Sequence, residues 1–213
     1  MMHLTCLWVL LTISTPIFGS EFHVSVVDGK ANSVENAVIS LRPLFESAMP
    51  SADNPELQMR QEGALFAPFV LPVKQGSTVS FPNFDEFRHH VYSFSKAKRF
   101  ELRLYGQDES KKIHFDTPGA VALGCNIHDN MLAYIYVTPH PFFAKTAKNG
   151  VVKFANIPPG NYEIYAWHPD LKGKKEKKIT SFIVSEGNNR TDITLELRRV
   201  RKKQLAPAED DYN

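Results

Sequence analysis

Alternation with a period of two, repeated in short runs, narrows most what this chain can fold into. Phe22-His23-Val24-Ser25-Val26, Phe100-Glu101-Leu102-Arg103-Leu104 and Thr191-Asp192-Ile193-Thr194-Leu195-Glu196-Leu197 follow that pattern. Such spacing sends apolar side chains to one face of a pleated strand, whereas a helix needs repeats of three and four. Further short segments of strand character fall at residues 38–41, 66–71, 78–81, 91–94, 112–115, 121–123, 132–137, 151–154 and 162–167. The chain is punctuated by 11 Gly and 14 Pro among 213 residues, and it lacks long stripes of helical period. Many short strands between turns indicate an all-β chain built as a sandwich or barrel. The length allows one large domain or two small ones.

Charge excludes one class of function. The chain carries 25 basic and 23 acidic residues, a net +2 that predicts no nucleic-acid binding. The basic clusters at 172–178 and 198–203 read as solvated faces or tails. No dinucleotide fingerprint, P-loop or nucleophile elbow is present. Residues 4–18 contain no Asp, Glu, Lys or Arg, and small residues follow at Gly19 and Ser20. The apolar run is shorter than the ~20 residues needed to span a bilayer. It reads as a secretory signal peptide over residues 1–20, cleaved near Gly19 or Ser20. The expected location is the periplasm, with no membrane span after cleavage.

The two cysteines are Cys6 and Cys125, and Cys6 falls inside the expected leader. An exported chain left with one thiol forms no internal disulfide, so that thiol calls for another role. Cys125 stands in Gly124-Cys125-Asn126-Ile127-His128-Asp129-Asn130-Met131. Cys-x2-His-x2-Met supplies a thiolate, an imidazole and a thioether from one loop. Those are the donors of a blue-copper site, where two imidazoles and a thiolate share a plane and a weak thioether lies on the axis. Apolar segments at 121–123 and 132–137 flank the loop, which suits a rigid mount. The competing readings are a buried inert thiol and a Cys–His nucleophilic pair, the latter without a recognisable third residue or oxyanion motif. Zinc fits less well than copper, because Met is a poor zinc ligand.

The fourth ligand is expected from a distant strand, at His89 or His90. Strand parity groups His90 with apolar Tyr92 and Phe94, which leans toward His90 pointing inward. His23, His114 and His140 read as surface or strand histidines, and Asp85, Glu86 and Asp129 as loop charges. Trp167-His168-Pro169 is a candidate second polar site.

Phe66-Ala67-Pro68, Val73-Lys74-Gln75-Gly76, Val79-Ser80-Phe81-Pro82-Asn83-Phe84-Asp85, His89-His90-Val91-Tyr92-Ser93 and the Cys125–Met131 loop resemble, in this order, the cupredoxin superfamily of plastocyanin, azurin and amicyanin relatives. The chain looks closest to the plastocyanin-like proteins labelled methylamine utilization proteins. The resemblance spans residues 57–138. It implies a Greek-key β-sandwich holding one type 1 copper ion, with His89, Cys125, His128 and axial Met131 as ligands. His90 stands where the family usually has Asn. The flanks resemble a transthyretin-like, carboxypeptidase regulatory-like module. The implied organisation is a signal at 1–20, first strands of that module at 21–46, the cupredoxin domain at 56–139, the remaining strands at 148–198 and a disordered tail at 199–213.

The implied function is single-electron transfer between exported redox partners, a dehydrogenase or cytochrome among them, rather than enzymatic catalysis. Met131, Leu132 or Pro82 would form an exposed docking patch. The alternatives are copper capture or delivery, and a carbohydrate- or protein-binding module whose copper site is secondary.

Overall fold

The computed structural model describes residues 20–46, 56–173, 176–198 and 204. The expected leader therefore lies outside the described residues, except for Ser20, which opens the first strand. The expected tail, 199–213, lies outside them too, except for Gln204. The side-chain amide of Gln204 brackets the backbone of Phe66, donating to its carbonyl at 2.6 Å and accepting from its N–H at 2.9 Å. Among the described residues there is no helix, and none long and apolar enough to cross a membrane.

The chain is all-β and forms two sandwiches. The first is made by both ends of the described chain. β1 (Ser20–Asp28) lies between antiparallel β13 (Val151–Ile157) and parallel β16 (Asn188–Leu195). Its burial alternates at every residue, so Phe22, Val24 and Val26 all face inward. The facing sheet runs β12 (Phe142–Lys145), β2 (Val38–Pro43), β14 (Gly160–Trp167), β15 (Lys177–Val184). Ile39, Leu41, Tyr162 and Ile164 from that sheet close the core over β1.

The second sandwich interrupts the first between β2 and β12. It contains β3 (Arg60–Glu62), β4 (Leu65–Ala67), β5 (Val70–Lys74), β6 (Ser77–Pro82), β7 (His89–Phe94), β8 (Arg99–Tyr105), β9 (Ser110–Phe115), β10 (Gly119–Cys125) and β11 (Leu132–Thr138). One layer is the sheet β5-β11-β10-β7-β8, and the other holds the β6-β9 and β3-β4 pairs. Phe66, Val79, Phe81, Val91, Phe115, Leu123 and Ile135 fill the space between them.

Two strands are buried on both faces, and they mark where the sandwiches meet. β11 turns Ala133, Ile135 and Val137 into its own core, and Tyr134 and Tyr136 outward. β2 turns Ile39 and Leu41 inward and Val38 outward. Tyr134, Tyr136, Val38, Val70 and Trp167 join as a third apolar cluster. Trp167 stacks on Tyr136 at 4.5 Å and meets Tyr134 edge-on at 5.9 Å. Such offset and edge-on contacts suit the aromatic quadrupole.

Several elements differ from the sequence reading. Segment 66–71 is two strands, β4 and β5, because Pro68 has no N–H to continue a ladder. β3, β12 and β15 carry no clear alternation. Lys177 and Lys178, read as part of a solvated run, belong to β15 at the edge of its sheet. Lysines there discourage edge-to-edge pairing with another chain. A register shift opposite Ile164 and Tyr165 breaks the period of β15.

Candidate metal centre

β10 and β11 form an antiparallel pair whose last partners are Gly124 and Leu132. The turn from Cys125 to Met131 therefore hangs between two fixed strand ends. It folds back on itself through the N–H of Met131, which donates to the carbonyl of His128 at 3.1 Å. On the other side β10 pairs with β7, with Cys125 opposite Val91 and Gly124 opposite Tyr92. Gly124 leaves room for the Tyr92 ring: a Cβ there would stand 2.8 Å from it, and the ring would have to move.

Cys125, His89 and His128 converge, with their donor atoms within 4.8 Å of one another. The Cys125 Sγ lies 3.7 Å from His89 Nδ1 and 3.6 Å from His128 Nδ1. A divalent metal with bonds of about 2.3 Å to sulfur and about 2.0 Å to nitrogen, opened to about 120°, holds those atoms about 3.7 Å apart. The observed spacing accommodates such an ion. Cys125 and His89 are buried, His128 is half-buried, and Met131 is buried in the same core as Cys125. Phe87 packs against both imidazoles, at 5.1 Å from His89 and 5.3 Å from His128.

Electrostatics favours the thiolate. Burial pushes the Cys125 thiol up, but several donors outweigh it: the His89 ring, the backbone N–H groups of His90 and Ile127, and the His128 ring. Together they bring it down to about 6. Burial pulls His89 down, yet its bonds to Cys125 and Asp85 leave it raised. A thiolate is the form that binds a soft metal.

His89, not His90, reaches Cys125. The parity reading fails because the inward set on β7 is His89, Val91 and Ser93. Phe94 is 71% exposed. Tyr92 and Phe94 pack against each other at a tilt, with ring centres 5.1 Å apart, on the outer face, where Gly124 leaves room for the Tyr92 ring. His90 Nε2 instead pairs with Glu101 at 2.8 Å. Its backbone still braces the loop: the N–H bonds to the Cys125 sulfur, and the carbonyl accepts from the N–H of Asn126 at 3.0 Å. Those bonds are made by the main chain, so they do not depend on an Asn side chain.

The sequence reading missed Asp85. It is not a loose loop charge but a buried carboxylate, 9% exposed, whose Oδ2 accepts from His89 Nε2 at 2.7 Å. Asn83 positions it by accepting the N–H of Asp85 at 2.9 Å and donating to the carbonyls of Phe87 and Tyr105. The Asn83-Phe84-Asp85 pattern just before a strand was the available signal, since Asn and Asp cap turns in this way.

Other expectations shift. Met131 is buried and Leu132 and Pro82 are half-buried, so they form no exposed patch, whereas Ile127, beside His128, is 48% exposed. His140 is no surface residue. Its Nδ1 meets Ser40 Oγ at 2.8 Å and its ring packs at a tilt against Tyr165, 4.4 Å between centres. His168 joins the Glu35 carbonyl to the N–H of Asp170, a structural use of both ring nitrogens.

No family model and no curated protein matches the chain. Among solved structures, the copper-containing nitrite reductase of Thermus scotoductus SA-01 aligns at 27% identity and a TM-score of 0.38, over 46% of this chain. This chain spans 25% of that enzyme's length. A purple cupredoxin from Nitrosopumilus maritimus aligns at 18% identity and a TM-score of 0.36, over 39% of this chain and 100% of its own. A reduced Cu(I) form of an amicyanin variant aligns at 18% identity and a TM-score of 0.37, over 46% of this chain and 99% of its own.

Proposed function

We propose that Cys125, His89 and His128 would hold one copper ion, with the Met131 thioether as a weak further donor, and that the protein carries single electrons between exported redox partners. The observation that carries the reading is the convergence of two imidazole Nδ1 atoms on one buried thiol, at 3.6 and 3.7 Å. Thiolate and thioether suit Cu(I), and imidazole suits both oxidation states. The ion would supply a one-electron couple, reduced by a donor and reoxidised by an acceptor.

The chain's own residues do the rest. Two backbone N–H groups, from His90 and Ile127, share the thiolate charge. The strand ends at Cys125 and Leu132 hold the loop, which limits movement between the two charge states. Phe87 and the buried ligands exclude water. Half-buried His128 and exposed Ile127 form the edge through which a partner would approach. Export is part of the proposal, supported by the uncharged run at residues 4–18 and the lone thiol that remains after it. N-terminal sequencing of the mature protein tests that point: a chain still starting at Met1 refutes it.

Titration with Cu(II) tests the site. One equivalent should develop an intense visible band from thiolate-to-copper charge transfer, absent in Cys125→Ser. Copper uptake without that band, or a band that survives Cys125→Ser, refutes the reading.

A further inference from the structure

The geometry points to Asp85 as a positioning residue that fixes the ligating face of His89 and biases the centre toward its oxidised state. This inference rests on the copper reading above and adds a determinant of how that site behaves.

Asp85 is held from three directions. β3 and β4 are joined by the two-residue turn Gly63-Ala64, in which both residues have positive φ, 63° and 54°. Such a turn suits a tight hairpin, and Ala64 accepts the strain of that region while fully buried. The turn aims two N–H groups at one carboxylate: Gly63 N donates to Asp85 Oδ1 at 2.6 Å, and Ala64 N to Oδ2 at 3.1 Å. The third donor is His89 Nε2, at 2.7 Å from Oδ2.

Two consequences follow for His89. A carboxylate without a proton only accepts, so Nε2 must carry the hydrogen. That leaves Nδ1, 3.7 Å from the Cys125 sulfur, as the nitrogen that would give up its hydrogen bond to the thiolate and turn its lone pair to the ion. Rotation of the ring would break a buried charge-assisted bond, so the ring is locked as well as oriented. The second consequence concerns charge. Peptide N–H groups soften the carboxylate but carry no net charge, so a full negative charge remains behind the ligand. It stabilises the doubly charged ion more than the singly charged one.

Asp85→Asn keeps the shape and removes the charge. Cu(II) affinity should fall about tenfold relative to Cu(I), at the lower end of the usual cost of losing such a partner. A tenfold change for one electron corresponds to a rise of about 59 mV in reduction potential. Asp85→Asn turns an amide NH2 toward the hairpin N–H groups and could fail to fold. The metal-free wild-type protein therefore provides a second readout: nitrogen NMR of the neutral His89 ring should find its proton on Nε2. A potential that stays level or falls in Asp85→Asn overturns the inference, as does a neutral ring with its proton on Nδ1. A wild-type protein without the charge-transfer band overturns the copper reading instead, which separates the two failures.

Discussion

Replacing Trp167 by Ala probes whether the apolar joint makes the two sandwiches one cooperative unit. Trp167 is 2% exposed and lies between Tyr136 and Tyr134, with Val38 and Val70 beside it. Truncating a buried Trp costs about 3–5 kcal/mol, from lost transfer energy plus the cavity left behind. At about 2–4 °C per kcal/mol for a chain of this size, the midpoint of thermal unfolding should fall by about 6–20 °C. The stack on Tyr136 adds a specific coupling. A double-mutant cycle of Trp167→Ala with Tyr136→Ala should return about 0.5–1.5 kcal/mol beyond additivity. Urea unfolding followed by far-UV circular dichroism measures both values. The metal centre should be untouched, because Ala133 and Ile135 face its core while Tyr134 and Tyr136 face away. A loss below about 1 kcal/mol in the single variant, or strict additivity in the cycle, would refute the reasoning. Two separate unfolding transitions in the wild type would refute it more directly.

Two further changes test charge and backbone. Glu163 accepts from Lys178 and from the Tyr165 hydroxyl and pairs with Arg42, and these partners hold its carboxyl at about 2 against an ordinary 4.5. A depressed carboxyl stabilises the fold above the unfolded value and loses that effect as pH falls. Glu163→Gln should therefore unfold at a lower temperature at pH 7, with the gap closing between about pH 4.5 and pH 2. A gap independent of pH over that window contradicts the assignment. Gly150 has φ +74, and a Cβ there would lie 2.6 Å from the Val26 carbonyl oxygen, which cannot swing away. Gly150→Ala should cost more than the roughly 1–2 kcal/mol of left-handed strain alone. Gly76, at φ +87 with nothing near, should cost only the strain. Equal denaturation midpoints for the two variants would show that the carbonyl contact carries no weight.

Much of the fold was legible where one face of a strand is dry and the other wet. β1 obeys that rule at every residue, and so its alternation was visible. β11 does not, because Tyr134 and Tyr136 are buried against the other sandwich, yet its continuous apolar run still read as a strand. β3, β12 and β15 were invisible: the first is held by turn geometry, the second is half-buried throughout, and the third lies at an exposed edge with a register shift. At the site, the loop spacing from Cys125 to Met131 was legible because one turn delivers it. His89 was harder, since hydrophobicity suggested that Tyr92 and Phe94 face inward. The rings sit outside, over the bare backbone of Gly124. Asp85 was half legible: the Asn83-Phe84-Asp85 turn is local, but two of its three donors come from a hairpin more than twenty residues earlier.

The position of β1 has a consequence in time. Its sheet partners are β13 and β16, and the parallel ladder from Glu21–Asn188 to Asp28–Leu195 ties nearly the first described residue to the last strand. During synthesis β1 exists long before β16. At about 5–20 residues per second, the wait for the intervening chain is roughly ten to thirty seconds. Until β13 emerges and covers one edge, an alternating nine-residue strand has two open edges and one apolar face, and the edge meant for β16 stays open to the end. The core of the interposed sandwich uses no strand beyond β11 and is free to form first. In arrested nascent chains that end before β16, protease should spare β3 to β11 and cut at β1, and protection of β1 in such chains would contradict this order. The vulnerable moment for this protein is thus its birth, when the first strand must be kept from pairing with the wrong chain.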